Sequence, residues 1–254
     1  DFSQIDDWIA NLVKKHSPFP TEVDFAPAPF YGSSPADAEQ ERKYNQAKEL
    51  GKKLISQGKV AAFVVAGGQG TRLGFAGPKG AVPVSPVKNK TLFQIFAETI
   101  AAVSERYQTS CPWYIMASPL NYAQTVEIFR SNNYYGLREN DVFIFQQGVL
   151  PNFSFDGKIL LADKDRISCS PDGHGGSFKA LWESGAIEDM KRRGVEFLSY
   201  FQVDNPLVRI FDPLFIGLHA LEGAEMSSKA LKKVEPKEKV GNFCLVDGKV
   251  TVIE

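Results

Sequence analysis

The sequence predicts an α/β fold with a mainly parallel sheet covered by helices, and three observations predict it. Short, continuous apolar runs at 60–66, 113–117, 142–145 and 197–203 suit strands buried by helices. Between these runs lie segments whose apolar residues recur at helical spacing. The first run leads directly into a glycine-rich turn, Gly67-Gly-Gln-Gly-Thr-Arg-Leu-Gly74. Strands alternating with helices in this way imply βαβ units.

Residues 1–58 are expected to form a helical arm. Its start is amphipathic (Phe2, Ile5, Trp8, Ile9, Leu12, Val13), and a loop with Pro18, Pro20, Pro27, Pro29 and Pro35 follows. At Ser34-Pro35-Ala36-Asp37 the sequence predicts a helix start, with Ser34 as cap and Pro35 in the first turn. Tyr44, Ala47, Leu50, Leu54 and Ile55 then recur on one face, and Gly58 closes the helix. Residues 59–254 form the second unit. Its clearest helix is 91–107, with Leu92, Ile95, Phe96, Ile100 and Val103 on one face. Further helices are expected at 121–131, 176–185 and 187–193. Asp156-Gly157 and Asp247-Gly248 are hairpin signals. The charge run 229–239 is expected to be a solvated face. Trp113, Trp182 and the many phenylalanines are assigned to the core, and His16 and His219 to structural roles.

Composition narrows the function. The chain has 254 residues, 43% hydrophobic and 23% charged, which excludes a wholly disordered protein. A net charge of −1 supplies no general polycation for a nucleic-acid backbone. Cys111, Cys169 and Cys244 are scattered and odd in number, so a reduced, cytoplasmic setting is expected rather than a disulfide framework. The three histidines lie far apart and give a zinc site little to build on. No apolar run approaches the roughly 20 residues of a membrane helix. The acidic start DFSQIDDW does not resemble a signal peptide. With no initiator Met and a last stretch that reads as a strand, the chain is expected to be a fragment, incomplete at its C-terminal end. A monomer without nucleic-acid or membrane partners is expected.

The glycine-rich turn is the strongest signal. Glycines let the backbone turn sharply and approach a ligand. Free N–H groups in such a turn cradle phosphate oxygens. Arg72 and, after Pro78, Lys79 add positive charge beside it. A P-loop is excluded, because no alignment gives G-x-x-x-x-G-K-[ST]. A dinucleotide fingerprint also fails: Gly74 comes one residue late after Gly68-x-Gly70, and no acid occurs from Thr71 to Ala97. A bare strand-to-helix turn with incidental basic residues is the bland alternative. The glycines, Arg72 and Lys79 together after a buried strand favour phosphate binding.

Three other segments stand out, two of them past the ends of strands, where ligands bind in open α/β sheets. Gln146-Gln147 follows the third run; an amide offers donor and acceptor together, enough to read a base edge. Pro171-Asp-Gly-His-Gly-Gly176 is a second glycine cluster opening a helix. Asp204-Asn205 ends the fourth run, where an acid near phosphates suits Mg²⁺. Each also has a bland reading as a surface loop, a helix start or a turn cap.

AGGQGTRLG followed by PKG resembles the nucleotide loop of the UTP-dependent sugar-1-phosphate uridylyltransferases, in particular the UDP-N-acetylglucosamine pyrophosphorylases and related UDP-sugar pyrophosphorylases. The likeness covers most of residues 34–254. It implies a three-layer nucleotide-binding sandwich of the nucleotide-diphospho-sugar transferase type, with a mainly parallel mixed sheet and an N-terminal helical arm. It implies the reaction UTP + sugar 1-phosphate ⇌ UDP-sugar + pyrophosphate, with Mg²⁺ as cofactor. It assigns nucleotide contacts to Ala66, Gly67, Gly68, Gly70, Thr71, Gln147, Gly173 and Asp204. Gln147 would meet uracil, with Gln146 as neighbour, and Asp204 would also hold the metal. His174 and Asn205 fall to the sugar; Arg72 and Lys79 are the catalytic cations. His174 stands where the animal N-acetylglucosamine enzymes have Asn and is more typical of hexose-1-phosphate enzymes. The following Gly175-Gly176 looks like the N-acetylhexosamine branch. N-acetylglucosamine 1-phosphate is the expected sugar, with a glucose or galactose 1-phosphate enzyme as the alternative. In the family, part of the sugar pocket comes from beyond the matching end of this chain, so a non-catalytic uridine-nucleotide-binding module is a further alternative.

Overall fold

A computed structural model describes residues 25–235 and 237–253. The expected amphipathic start, Pro18, Pro20 and His16 lie outside the described residues. The centre is a four-stranded, fully parallel sheet in the order β4-β3-β2-β9, built from β2 (Val60–Val65), β3 (Trp113–Ala117), β4 (Val142–Gln146) and β9 (Phe197–Gln202). The two inner strands are buried along nearly their whole length. The edge strands are only half-buried, and in β9 burial alternates. The sequence does not distinguish inner from edge strands, because strand order is a tertiary property.

Successive strand residues face opposite sides, so each strand feeds two cores. On one face Ala62, Val64, Trp113 and Ile115 pack against α1 (Ala38–Ser56), α2 (Leu92–Tyr107), α3 (Tyr122–Ser131) and α6 (Pro213–Glu222). On the other, Ala61, Phe63, Tyr114 and Met116 pack against α4 (Ser177–Glu183) and α5 (Ala186–Arg193). This gives the expected three layers. Small antiparallel ribbons lie apart from the main sheet. β1 (Phe25–Pro27) pairs with the hairpin of β10 (Asn242–Val246) and β11 (Lys249–Ile253). β5 (Val149–Pro151) pairs with β8 (Cys169–Pro171), and β6 (Leu161–Asp163) with β7 (Arg166–Ile167). Both hairpin signals fall at turns. Asp247 and Gly248 take φ of 50° and 75°, as a two-residue hairpin turn requires.

Helix α1 begins later than the Ser34-Pro35 signal implies. Asp37, not Ser34, is the cap: its carboxylate accepts from Gln40 N at 2.8 Å, while Gln40 Oε1 accepts from Ala36 N at 2.7 Å. This reciprocal pair outcompetes a lone serine three residues upstream. Gly58 closes the helix at φ 70° as expected. Helix α6 carries end signals of its own. Asp212 caps Leu214 N at 3.2 Å, Pro213 opens the first turn, and Gly223 is left-handed at the end. The two helices touch backbone to backbone. A Cβ on Gly51 would come within 1.8 Å of Pro213 O, and one on Gly217 within 1.7 Å of Ala47 O. Trp113 is wholly buried, whereas Trp182 is 64% exposed. Ala180 and Leu181 take the inward face of α4 and leave Trp182 outside, with the Lys191 ammonium 5.9 Å from its ring. His219 packs edge-on against Phe197 and sits 2.8 Å from Ser227 Oγ, and burial pushes its pKa down.

Candidate functional site

Chain order sets the site. From β2 the chain moves outward through β3 to β4, then returns to place β9 on the other side of β2. The segments leaving β2 and β9 therefore lie side by side at the carboxyl ends of these parallel strands and flank the crevice there. The glycine-rich turn leaves β2 there. Asp204 and Asn205 leave β9 there, after Val203 N bonds Val65 O at 3.2 Å.

The turn is a closed loop. Gly70 N donates to Gly77 O at 2.8 Å and Lys79 N to Gly68 O at 2.9 Å, so its two arms pair across Gln69 and Pro78. Leu73 N and Phe75 N both donate to Gly70 O. Gly70 is packed under Phe75 and Val82, which come within about 3 Å of where a Cβ would stand. Among the described residues nothing accepts from the N–H groups of Gly67, Gly68 or Gln69. Three successive N–H groups are thus left free to meet an anion.

Lys79 crosses the crevice: its Nζ is 3.2 Å from Asp204 Oδ2 and lies over Gly68. The cation, the acid and the loop are thus brought together. Gln147 is 7% exposed, and its Nε2 donates to Gly173 O at 3.0 Å while its backbone N donates to Ala117 O. Its Oε1 faces Gly67 so closely that a Cβ there would lie 2.8 Å away. One amide therefore ties the second glycine cluster to the first. Gly173 has φ 71° and ψ −163°, a conformation essentially confined to glycine. The Asp172 carboxylate wedges between Gly148 and Gly176, filling the space a Cβ would take at either. His174 is exposed and its Nδ1 meets the Tyr200 hydroxyl, so a β9 side chain orients it. An open groove of about 470 Å³ runs beside Gln146, Gln147 and Gly148 toward Ser184.

Not every expected residue joins this cluster. Arg72 is exposed in a 3₁₀ turn, and no side-chain hydrogen bond or ion pair holds it among the described residues. Asn205 is exposed, with its backbone in a turn closed by Asn205 N to Gln202 O at 3.2 Å. Thr71 is exposed beside Arg72, and Gln146 points outward where Gln147 points in. Asn121 is absent from the expectations, yet it is wholly buried against the loop. Its Nδ2 donates to Ala66 O at 3.1 Å and Gly68 O at 3.3 Å. Nothing local in the sequence marks it, because its partners are backbone groups more than 50 residues away.

The family model described as UTP–glucose-1-phosphate uridylyltransferase matches residues 33–254. The human UDP-N-acetylhexosamine pyrophosphorylase-like protein 1 is 44% identical over 228 residues, covering 87% of this chain and 44% of that protein. The UDP-N-acetylglucosamine pyrophosphorylase of Saccharomyces cerevisiae is 38% identical over 240 residues, covering 92% of this chain and 50% of that protein. Among solved structures, the uridine diphosphate N-acetylglucosamine pyrophosphorylase of Trypanosoma brucei, in complex with an inhibitor, superposes with a TM-score of 0.87 at 27% identity. That match covers 100% of this chain and 53% of the other. The chain thus spans about half the length of the curated relatives it matches.

Proposed function

The chain belongs to the UTP–glucose-1-phosphate uridylyltransferase family, and from that premise we propose that it joins UTP to a sugar 1-phosphate, giving a UDP-sugar and pyrophosphate. The observation that carries this is the crevice itself. Three free loop amides, a lysine over Gly68 and an acid at 3.2 Å from that lysine meet where the strand order reverses. Gln147 gives the site its base preference. Its Nε2 is spent on Gly173 O, which leaves Oε1 as the acceptor. Uracil presents an N3–H donor to such an acceptor, whereas cytosine presents a lone pair at N3.

In the proposed reaction an oxygen of the sugar phosphate attacks the α-phosphorus in line, and the bond to the β-phosphate oxygen breaks as pyrophosphate leaves. The nucleophile is already an anion, so no general base is needed. Bringing two anions together makes alignment and charge neutralisation the main tasks. The Lys79 ammonium neutralises charge on the α-phosphate, exchanging its Asp204 partner for phosphate oxygens. Arg72, free in solvent beside the loop amides, closes on the pyrophosphate. Asn205 and His174 face the sugar.

Among the described residues no three His, Cys, Asp or Glu side chains come together, so these residues alone build no metal cage. A single exposed carboxylate at the phosphate end of the crevice does fit Mg²⁺ that arrives on the nucleotide, which takes one or two carboxylates plus phosphate oxygens. Asp204 would hold it, and the bound ion would supply charge neutralisation.

N-acetylglucosamine 1-phosphate is the proposed sugar. Supporting it is the name of the yeast relative at 38% identity, together with the N-acetylhexosamine in the name of the human one at 44%, against the glucose in the family description. No helix among the described residues is long and apolar enough to cross a membrane. The proposal sets the chain in the cytoplasm, consistent with free Cys111, Cys169 and Cys244.

Pyrophosphate release from UTP and Mg²⁺, measured against N-acetylglucosamine, glucose and galactose 1-phosphates, tests the reading. Release with N-acetylglucosamine 1-phosphate is expected to exceed that with the other two. In Lys79→Ala, kcat should fall by about 10²–10³ while UTP affinity changes far less. A near-normal kcat in that variant rules out the role given to Lys79. UTP binding without pyrophosphate from any sugar favours a non-catalytic nucleotide module.

A further inference from the structure

We propose that Asn121 is the positioning residue of the nucleotide loop, its buried amide holding the loop backbone in shape before any ligand arrives. Asn121 stands at the N-terminal boundary of α3, where an asparagine side chain ordinarily accepts from an N–H of its own first turn. Here it makes no such bond. Its Oδ1 instead accepts from Ser118 N at 2.9 Å and Ser118 Oγ at 3.0 Å, which fixes the plane of the amide. Its Nδ2 then donates to Ala66 O and Gly68 O, on either side of Gly67. The side chain is 0% exposed and Ser118 is 2% exposed, so water does not compete for these bonds.

The consequence is directional. The carbonyls of Ala66 and Gly68 are satisfied from behind, the latter also by Lys79 N, while the N–H groups of Gly67, Gly68 and Gln69 stay free. A glycine-rich segment left alone samples many conformations, and ordering it on binding costs affinity. Asn121 removes that cost in advance by tying the loop to the β3–α3 junction. It touches no substrate, so its effect runs through the loop. Its consequence for UTP rests on the uridine-nucleotide reading above; its effect on the loop backbone does not.

Asn121→Asp keeps the size and the Ser118 contacts but replaces both loop donors with an acceptor. Amide exchange at Gly70, Leu73, Phe75 and Lys79, whose N–H groups are bonded within the loop, should speed up roughly tenfold, with α2 and β3 unchanged. The dissociation constant for UTP should rise by a similar factor. Burial raises the pKa of the new carboxyl, so lowering the pH toward about 5 should restore a donor and, relative to wild type at the same pH, part of the protection. Asn121→Asp that folds with wild-type loop protection overturns the proposal. Should that variant not fold, Ser118→Ala decides: a severalfold faster loop exchange is expected, and no change overturns it. If wild-type protein fails to bind UTP, the uridine reading is lost, while faster loop exchange in the variant still upholds the brace.

Discussion

A single carbon added at Gly67 would meet Gln147 Oε1 at 2.8 Å and Ser118 at 3.3 Å. The amide can swing aside more readily than the backbone, so Gly67→Ala should fold with a loss of about 1–2 kcal/mol. Nucleotide selection should suffer more: calorimetric titration is expected to show weaker UTP binding and a smaller gap between UTP and CTP. Unchanged affinity and selectivity would remove Gln147 from its assigned place. At this scale the sequence was informative where chemistry is local. Gly67, Gly68, Lys79 and Asp204 announced themselves by residue type and by following strands, and they do meet. Asn121 stayed hidden because asparagine before a helix looks like an ordinary cap. Only the fold reveals that its amide is turned toward a loop 53 to 55 residues away.

Between elements, the crossing of α1 and α6 depends on two glycines in the middle of helical patterns. Gly51 lies on the same stripe as Tyr44, Ala47, Leu54 and Ile55, and it allows Pro213 O to sit where a side chain would be. Gly217→Ala should therefore push the helices apart and cost about 2–3 kcal/mol, despite alanine's better helix propensity. Urea denaturation checks this: the midpoint should drop with the slope unchanged. A variant as stable as the parent would mean the two helices do not approach so closely. The stripe on α1 was legible from spacing alone, and so were α2, α3 and the Asp247-Gly248 hairpin. The start of α1 was misplaced because two cap signals compete within four residues, and the Asp37–Gln40 pair makes the better bonds. Trp182 was misassigned because size and apolarity say nothing about which side of a short helix faces the sheet.

Across the whole molecule, the sheet face opposite the large core is held by a partly buried polar network as well as by packing. Tyr114 OH and Arg193 Nε both donate to Asp189 Oδ2 at 2.8 Å, and Arg193 continues to Asp141 at 3.1 Å. Burial pushes the Asp189 carboxyl up, but the hydrogen bonds from Tyr114 and Arg193 and the two guanidinium charges outweigh it and hold the pKa below the ordinary value. A depressed carboxylate stabilises the fold above its unfolded pKa, and that stability is lost as pH falls through the lower, folded value. Asp189→Asn should thus cost about 3 kcal/mol near neutrality, and the gap to wild type should close as denaturation is repeated below about pH 4. A gap independent of pH would show that the charge on Asp189 is not what matters. The layered parallel sheet was legible from alternating runs, while the 4-3-2-9 order that creates the crevice was not, since it depends on which strands pair. We propose that this crevice is built for a uridine nucleotide. The most direct test is calorimetric titration of the chain with UTP, CTP and ATP in the presence of Mg²⁺. UTP is expected to bind at least about tenfold more tightly than CTP or ATP, an advantage that Gln147→Ala erases; equal binding of the three, or none by UTP, would contradict it.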